Sequence, residues 1–436
     1  MPHASSFALI VVLAVVLAFP GARVVQHALP SAGTPTSLPA VDVAAAAPSQ
    51  PETPDVAAAA PQQAAASDQT QRGIAPPEVS AEAVYAMDLQ SGTVLYNKNA
   101  DERRPIASIT KVITALVTVK HVSLDEQVTI IDSDLLDPNS PFTKMGLRSG
   151  DTLRVVDLLQ GLLIPSGGDA AKALARYVGS KLSGSDDPAT ATTAFIDEMN
   201  AYAQSLGLKD SYFTDPDGED DSSAFSTAHD VTILGGELMK NADLAWIVNQ
   251  PNYNIPSQLG EPYQQNNTNS LLGQDGVIGI KTGSTEGAGA SLLLARSVNG
   301  GENTVVMAVL GSTLTYDDQS NIVEDDRYTD SQTIFADMDA RFTWTSLDAV
   351  GDTFPGLAEE MAVWGVELRD PPVMPIDVRK QDKPSYQLVL GPPTDGGKQA
   401  GSVLLYSGDT AFASVPVFQI DGDSGMLEPR SNAQVA

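Results

Sequence analysis

The chain has 436 residues, enough for two or three domains with sizeable cores, and sets 25 Lys+Arg against 55 Asp+Glu for a formal net charge of −30. That balance argues against nucleic acid as a partner. Cysteine is absent, which removes disulfides, thiolate metal sites and a cysteine nucleophile. The four histidines (His3, His27, His121, His229) are scattered without metal-ligand spacing. Neither His121 nor His229 lies in a motif for a catalytic base, so serine chemistry here points to a lysine base instead.

Phe7 to Phe19 is a continuous apolar run followed by Pro20-Gly21-Ala22-Arg23. It is short for a membrane span and fits the apolar stretch of a secretory signal. A basic start and a clean cleavage site are both missing, so residues 1–28 read as a signal peptide or an uncleaved N-terminal anchor. Residues 29–77 are Ala, Pro, Gln, Thr and Ser, with two Val-Ala-Ala-Ala-Ala-Pro repeats at 43–48 and 56–61. Such sequence has little to bury and reads as a disordered tether.

A globular domain is expected over 78–347. Ala83 to Met87 and Thr93 to Tyr96 flank Gln90-Ser91-Gly92 as a hairpin. The stretch Pro105-Ile106-Ala107-Ser108-Ile109-Thr110-Lys111-Val112 follows. Its run of β-branched residues favours a strand. Ile109, Val112, Ile113 and Leu116, however, fall on a helical i, i+3, i+4, i+7 stripe, and Pro105 sits where helices begin. The spacing therefore predicts a buried helix with Ser108 in its first turn. Residues three apart share a helix face, so the Ser108 hydroxyl can meet the Lys111 amine. A lysine whose pKa is depressed by burial or by another cation can take a serine's proton. Taken alone, Ser-x-x-Lys equally describes a surface serine beside a solvated lysine.

Val155 to Leu163 reads as an apolar helix running into Pro165-Ser166-Gly167-Gly168-Asp169. Ala170, Ala173, Leu174, Tyr177 and Val178 then mark a second helix. Ser166 thus sits in a tight inter-helix loop, where a hydroxyl and two glycines also suit a plain turn. Phe195 to Leu206 is a further helix ended by Gly207. Thr227-Ala228-His229-Asp230 caps the next, which makes His229 a first-turn surface residue. Val277 to Lys281, Ala290 to Ala295 and Thr304 to Leu310 read as an antiparallel set of three strands, closed by a helix bearing Ile334, Phe335, Met338 and Phe342. Residues 348–420 change to short β-rich segments with Pro/Gly turns, including Tyr386 to Leu390, Ser402 to Tyr406 and Ala413 to Phe418. The acidic tail, 421–436, reads as disordered.

Ser108-x-x-Lys111, Ser166-Gly167-Gly168 and Lys281-Thr282-Gly283 stand in chain order at a helix start, an inter-helix loop and a strand. Together they resemble the Ser-x-x-Lys, Ser-x-Asn and Lys-Thr-Gly motifs of penicillin-recognising enzymes. The flanking text resembles the low-molecular-mass D-alanyl-D-alanine carboxypeptidases in particular. It comprises Arg104 to Lys111, Ser166 to Ala171, Phe225 to Asp230, Asn269 to Leu272, and Lys-Thr-Gly-Ser-Thr-Glu-Gly-Ala-Gly at 281–289. The resemblance covers roughly residues 79–345. It implies an α/β (α+β) domain of the β-lactamase/transpeptidase-like kind, with an antiparallel sheet flanked by helices, plus a small C-terminal β-rich domain.

For chemistry, the resemblance implies a Ser108 nucleophile, a neutral Lys111 base, and Ser166 relaying a proton to the departing D-Ala nitrogen. Lys281 and Thr282 would receive the terminal carboxylate beside Gly283. The backbone N–H groups of Ser108 and Ser284 would form the oxyanion hole, and Arg327 is the nearest candidate for the family's carboxylate-binding arginine, with a surface ion pair as its alternative. The implied partners are a peptidoglycan stem peptide, β-lactam antibiotics as covalent inhibitors, and the membrane through the N-terminus. No cofactor or metal is implied, and the place of action is the cell-wall side of the bacterial plasma membrane.

Two departures stand out. Gly168 occupies the place of the motif's asparagine, and the family's C-terminal amphipathic membrane helix is missing, which shifts anchoring to the N-terminus. An asparagine at 168 is expected to raise the acylation rate if the loop accepts a side chain. Alternatives within the same fold are an endopeptidase or a transpeptidase. A class A β-lactamase would also need an acidic deacylation residue on a Glu-x-x-x-Asn loop between the second and third motifs, and no such pattern is read there. The alternative outside enzymes is a cell-wall binding protein, which the broken middle motif would permit.

Overall fold

The computed structural model describes residues 73–420 except 141, 318, 320, 347–353, 370–372, 380–383, 395–398 and 408–409. The expected export segment, the tether up to residue 72 and the acidic tail lie outside the described residues. No helix among the described residues is long and apolar enough to cross a membrane.

The centre is a five-stranded sheet of β1 (Ala83–Asp88), β2 (Val94–Lys98), β3 (Val277–Thr285), β4 (Gly289–Val298) and β5 (Asn303–Ser312). Its order is β2-β1-β5-β4-β3, and every neighbouring pair is antiparallel. The expected hairpin and three-strand antiparallel set are therefore both present. The join between them, Ala83 opposite Leu310 through Asp88 opposite Val305, links chain segments more than two hundred residues apart.

Successive side chains of a strand point to opposite faces, and here both faces are covered. Ala83, Tyr85, Leu293, Ala295, Val306 and Ala308 face one core, filled by the helices that run from the first motif to the third. Val84, Ala86, Leu292, Leu294, Val305 and Met307 face another, closed by Ile334, Phe335 and Met338 of a late helix. The helices of the larger core are α1 (Lys111–His121), α2 (Val155–Leu163), α3 (Gly168–Ser183), α4 (Pro188–Ser205), α5 (Ala228–Lys240) and α6 (Ala242–Val248). The late helix is α7 (Arg327–Arg341).

Helix α1 is buried from Lys111 through Thr118. Its β-branched residues suit a strand locally, but a helix packed on all sides gains more from tertiary contact than propensity removes. One detail differs from expectation. Ser108 sits in a 3₁₀ turn, Ala107–Thr110, just ahead of α1 rather than in its first α-turn. Ala107 has φ 48°, a left-handed conformation that breaks the α-helical path before Ser108.

After α7, Phe342–Ser346 pairs antiparallel with Val373–Asp377. A four-stranded sheet follows in the order Val366–Glu367, Thr410–Gln419, Gln399–Ser407, Pro384–Thr394. Phe354, Leu357, Met374, Val403, Leu405 and Val417 form a core of their own there, with the short helix α8 (Leu357–Trp364). Phe342, expected on the closing helix, is instead the first residue of the strand after it.

The start of the described chain is tied down by Asp330 on α7, which is 6% exposed. Its carboxylate accepts from Ser80 N (3.0 Å), Ser80 Oγ (2.8 Å), Ala81 N (2.8 Å) and Ser312 Oγ (2.7 Å). Asp330→Ala leaves these donors without an acceptor, at a cost of about 3 kcal/mol. Calorimetry should show a melting temperature several degrees lower, and an unchanged value would remove Asp330 from the account of stability.

Candidate active site

The 3₁₀ turn, the α2–α3 loop and strand β3 converge, and glycines let them touch. A Cβ on Gly283 would lie 2.7 Å from Ile106 O and 3.4 Å from Ala107 Cβ, so β3 lies directly against the turn that carries Ser108. A Cβ on Gly218, whose φ is +83°, would fall 2.0 Å from Ala107 O. Only glycine at 218 permits the approach that braces the Ser108 turn from the other side.

Ser108 Oγ accepts from Lys111 Nζ at 2.9 Å. The same Nζ donates to the backbone carbonyl of Asp217 at 2.5 Å. Lys111 is 3% exposed. Burial lowers its pKa from the ordinary lysine value, opposed by the charges of Asp217, Asp215, Asp169 and Glu219. Lys281 on β3 is 1% exposed and donates to Thr282 O at 2.9 Å. Its pKa falls well below the ordinary range through burial first, then through the charges of Lys111 and Arg327. Lys281 is thus near enough to Lys111 for the charge of Lys111 to disfavour its protonation.

Ser166 is buried, with φ 71°. A left-handed serine costs backbone energy and persists where surrounding packing dictates it. That packing comes from Asp169, whose carboxylate accepts from the N–H groups of Met145 (2.7 Å), Gly146 (2.8 Å), Leu147 (2.9 Å) and Ala170 (3.0 Å). The neighbouring Gly168 N–H donates to Thr143 O at 2.9 Å.

Thr282 Oγ1 lies 2.7 Å from Thr268 Oγ1, whose residue donates its N–H to Ile164 O at 3.1 Å just before the Ser166 loop. Arg327 is buried rather than on the surface, at 3% exposure. Its guanidinium donates to Gly283 O (2.9 Å), Ser291 O (3.1 Å), Ser284 Oγ (2.6 Å) and Asp325 Oδ1 (2.6 Å). The structure therefore joins Ser108 to Lys111, sets Gly283 against their turn, links Thr282 through Thr268 to Ile164 ahead of the Ser166 loop, and has Arg327 backing Ser284 and the edge of β3.

Sequence reasoning passed over Asp217, Gly218 and Thr268. Asp215-Pro216-Asp217-Gly218 reads only as a turn, and nothing in it marks a contact with Lys111. The Glu-x-x-x-Asn spacing does occur, at Glu237 and Asn241. Glu237 lies on α5 and pairs with Lys240 at 2.7 Å, while Asn241 caps α6, so this is no loop poised over a nucleophile. His229 stands in the first turn of α5, against Tyr85 and 3.2 Å from Asp101.

A family model for D-alanyl-D-alanine carboxypeptidases of the S11 peptidases matches residues 70–313, more than half of the chain. The chain belongs to this family. Within the S11 family, a D-alanyl-D-alanine carboxypeptidase of Streptomyces sp. (strain K15) is 36% identical over 250 residues, covering 55% of this chain and 84% of that protein. D-alanyl-D-alanine carboxypeptidase DacC of Escherichia coli (strain K12) is 34% identical over 257 residues, covering 57% of this chain and 60% of that protein. The crystal structure of the Streptomyces K15 DD-transpeptidase superposes with a TM-score of 0.53 at 33% identity, covering 60% of this chain and 98% of that one. The fold alone is also shared with penicillin binding protein 6B from Escherichia coli, at 24% identity and a TM-score of 0.58 over 79% of this chain and 96% of that one. The S11 chain is a serine peptidase, and its antiparallel sheet with flanking helices is the penicillin-binding fold.

The Gly283 contact yields a test. Gly283→Val pushes β3 off the Ser108 turn, and an ångström of misplacement costs on the order of 100-fold in rate. Penicillin acylation of the variant should slow at least ten-fold with circular dichroism unchanged. Acylation at the parent rate would show that the close approach is not required.

Proposed function

We propose that this S11 peptidase removes the terminal D-Ala of peptidoglycan stem peptides through a Ser108 acyl-enzyme. The observation that carries the reading is the Lys111 amine, buried, depressed in pKa and 2.9 Å from Ser108 Oγ. The Lys111 amine takes the Ser108 proton as Oγ attacks the carbonyl of the penultimate D-Ala. Backbone N–H groups of Ser108 and Ser284 receive the developing oxyanion. Ser166 passes a proton to the leaving D-Ala nitrogen, and water then cleaves the ester. Lys281, Thr282 and the Arg327–Ser284 pair bind the terminal carboxylate, Arg327 acting mainly by orienting Ser284.

Residues 78–347 form the catalytic domain in this reading and 348–420 a separate β-rich domain. Residues 1–28 export the chain or anchor it outside the plasma membrane, with 29–77 as tether and 421–436 as a free tail. A chain beginning at Val79 should remain in the supernatant after membranes are pelleted, and co-sedimentation with them would reveal a second attachment.

A transpeptidase reading has one observation in its favour, the likeness to the K15 structure described as a DD-transpeptidase. Incubating the protein with a pentapeptide stem, with and without an acceptor amine, separates the two. Free D-Ala plus tetrapeptide supports hydrolysis, whereas a product joined to the acceptor supports transfer.

Fluorescent penicillin should label the protein at Ser108, and Ser108→Ala should abolish labelling with the fold intact. Labelling that survives in the alanine variant removes Ser108 as nucleophile. The base must be neutral to act, so acylation should rise with pH along a limb centred below the ordinary lysine value of 10.5. A limb centred at or above that value would count against Lys111.

A further inference from the structure

Gly168 stands where the middle motif has its asparagine. Gly168 opens α3 without a left-handed φ, so its backbone does not demand glycine. What excludes a side chain is Asp217. A Cβ on Gly168 would lie 2.7 Å from Asp217 Oδ2 and 3.1 Å from Leu136 Cδ1. Asp217 is 4% exposed, and its Oδ1 has no hydrogen-bond partner among the described residues. Buried polar atoms are nearly always satisfied, so an orphan beside a nucleophile points to a working role.

The backbone around Asp217 is held from three directions. Asp215 Oδ1 accepts from the N–H groups of Asp217 (2.8 Å), Gly218 and Glu219 (3.3 Å). Pro216 O accepts from Thr114 Oγ1 of α1 at 2.6 Å. Asp217 O accepts from Lys111 Nζ at 2.5 Å. The carboxyl group is thus delivered to the Gly168 position by a turn locked onto both α1 and the Ser108 loop.

We propose that Asp217 is a positioning residue that replaces the asparagine, its carboxyl group filling the space beside Gly168 and so fixing the turn whose Asp217 backbone carbonyl holds the Lys111 amine for Ser108. This inference rests on the acyl-enzyme reading above. Gly168 and Asp217 then form one unit, since a side chain at 168 and the Asp217 carboxyl compete for the same volume. The replacement also changes the electrostatics, because a carboxyl titrates where an amide does not.

Burial pushes the Asp217 carboxyl up to about 7, against the pull of Lys111 and with Asp215 and Glu219 adding to the rise. Asp169 of α3 and Lys281 of β3 face Lys111 from the other sides. A cavity of about 260 Å³ on the flank of the turn adds Asp134, Lys172 and Arg176. In its anionic form Asp217 raises the pKa of Lys111, so removing its charge extends neutral Lys111 to lower pH.

The test is a double-mutant cycle on the full chain, reading the rate constant for Ser108 acylation by a chromogenic penicillin and the melting temperature of each protein. Asp217→Ala and Gly168→Asn should each lower the rate ten-fold or more. The combined variant should recover to within about three-fold of the parent, because the amide enters as the carboxyl leaves. Asp217→Asn should keep most of the neutral-pH rate and move the acidic limb of the pH–rate profile to lower pH. Strictly additive losses in the combined variant, a parent-like rate in Asp217→Ala, or an unmoved limb in Asp217→Asn would each overturn the proposal. The Asp217 variants decide it even if Gly168→Asn alone does not fold. Failure of the parent protein to acylate at Ser108 would sink the acyl-enzyme reading itself, a result distinct from any of these.

Discussion

Everything in this fold bears on keeping two lysine amines dry in one place. Lys111 and Lys281 are 3% and 1% exposed, and their hydrogen-bond acceptors are a hydroxyl and backbone carbonyls rather than carboxylates. A buried ammonium without a paired anion is costly, so the neutral amine is favoured. The charge of Lys111 also penalises protonation of Lys281. Asp169 and the acidic turn at Asp215, Asp217 and Glu219 pull Lys111 back toward its charged form. The base is therefore set by a balance between burial and an acidic rim, not by one neighbour.

That balance requires exact backbone placement, and the chain supplies it through a few strained or side-chain-free positions. Ala107 and Ser166 are left-handed, at φ 48° and 71°, and such residues cost about 1–3 kcal/mol each. Both flank the site, and both are enforced by neighbours: Gly218 against Ala107, and the Asp169 carboxylate gathering four N–H groups beside Ser166. The α1 helix beneath them, buried from Lys111 through Thr118, gives these contacts a rigid base.

The C-terminal strands act at the other end of the sheet. Asp88, fully buried at the end of β1, accepts from Asn303 Nδ2 (3.1 Å) and Trp344 Nε1 (3.0 Å), and Asn303 also donates to Val373 O (3.3 Å). Arg341 pairs with Asp377 at 2.9 Å. In the β1–β5 register Asp88 lies opposite Val305, whereas the Gly283 end of β3 meets Ser291 near the far end of β5. The late segment thus braces the turn end of the sheet and leaves the end carrying the nucleophile to the helices.

Much of this was written locally in the chain. The hairpin at Gln90 to Gly92, the three apolar strands and the amphipathic helices follow from period and turn residues. The Ser108–Lys111 contact follows from a three-residue spacing, and Lys281 to Gly283 announced itself as a strand motif. Other features had no local signature. The β-branched α1 is helical because it is packed on every side, and Arg327 is a buried brace because Gly283, Ser284 and Ser291 surround it. The Glu237–Asn241 spacing lost its meaning once it fell on a surface helix end. Asp217, from a turn a hundred residues beyond Ser108, reaches the space at Gly168 only through folding. Periodicity and spacing encode what neighbours in sequence do to each other. Which carboxyl fills which gap is decided by long-range packing, where turn residues that look interchangeable in sequence are brought against a particular amine.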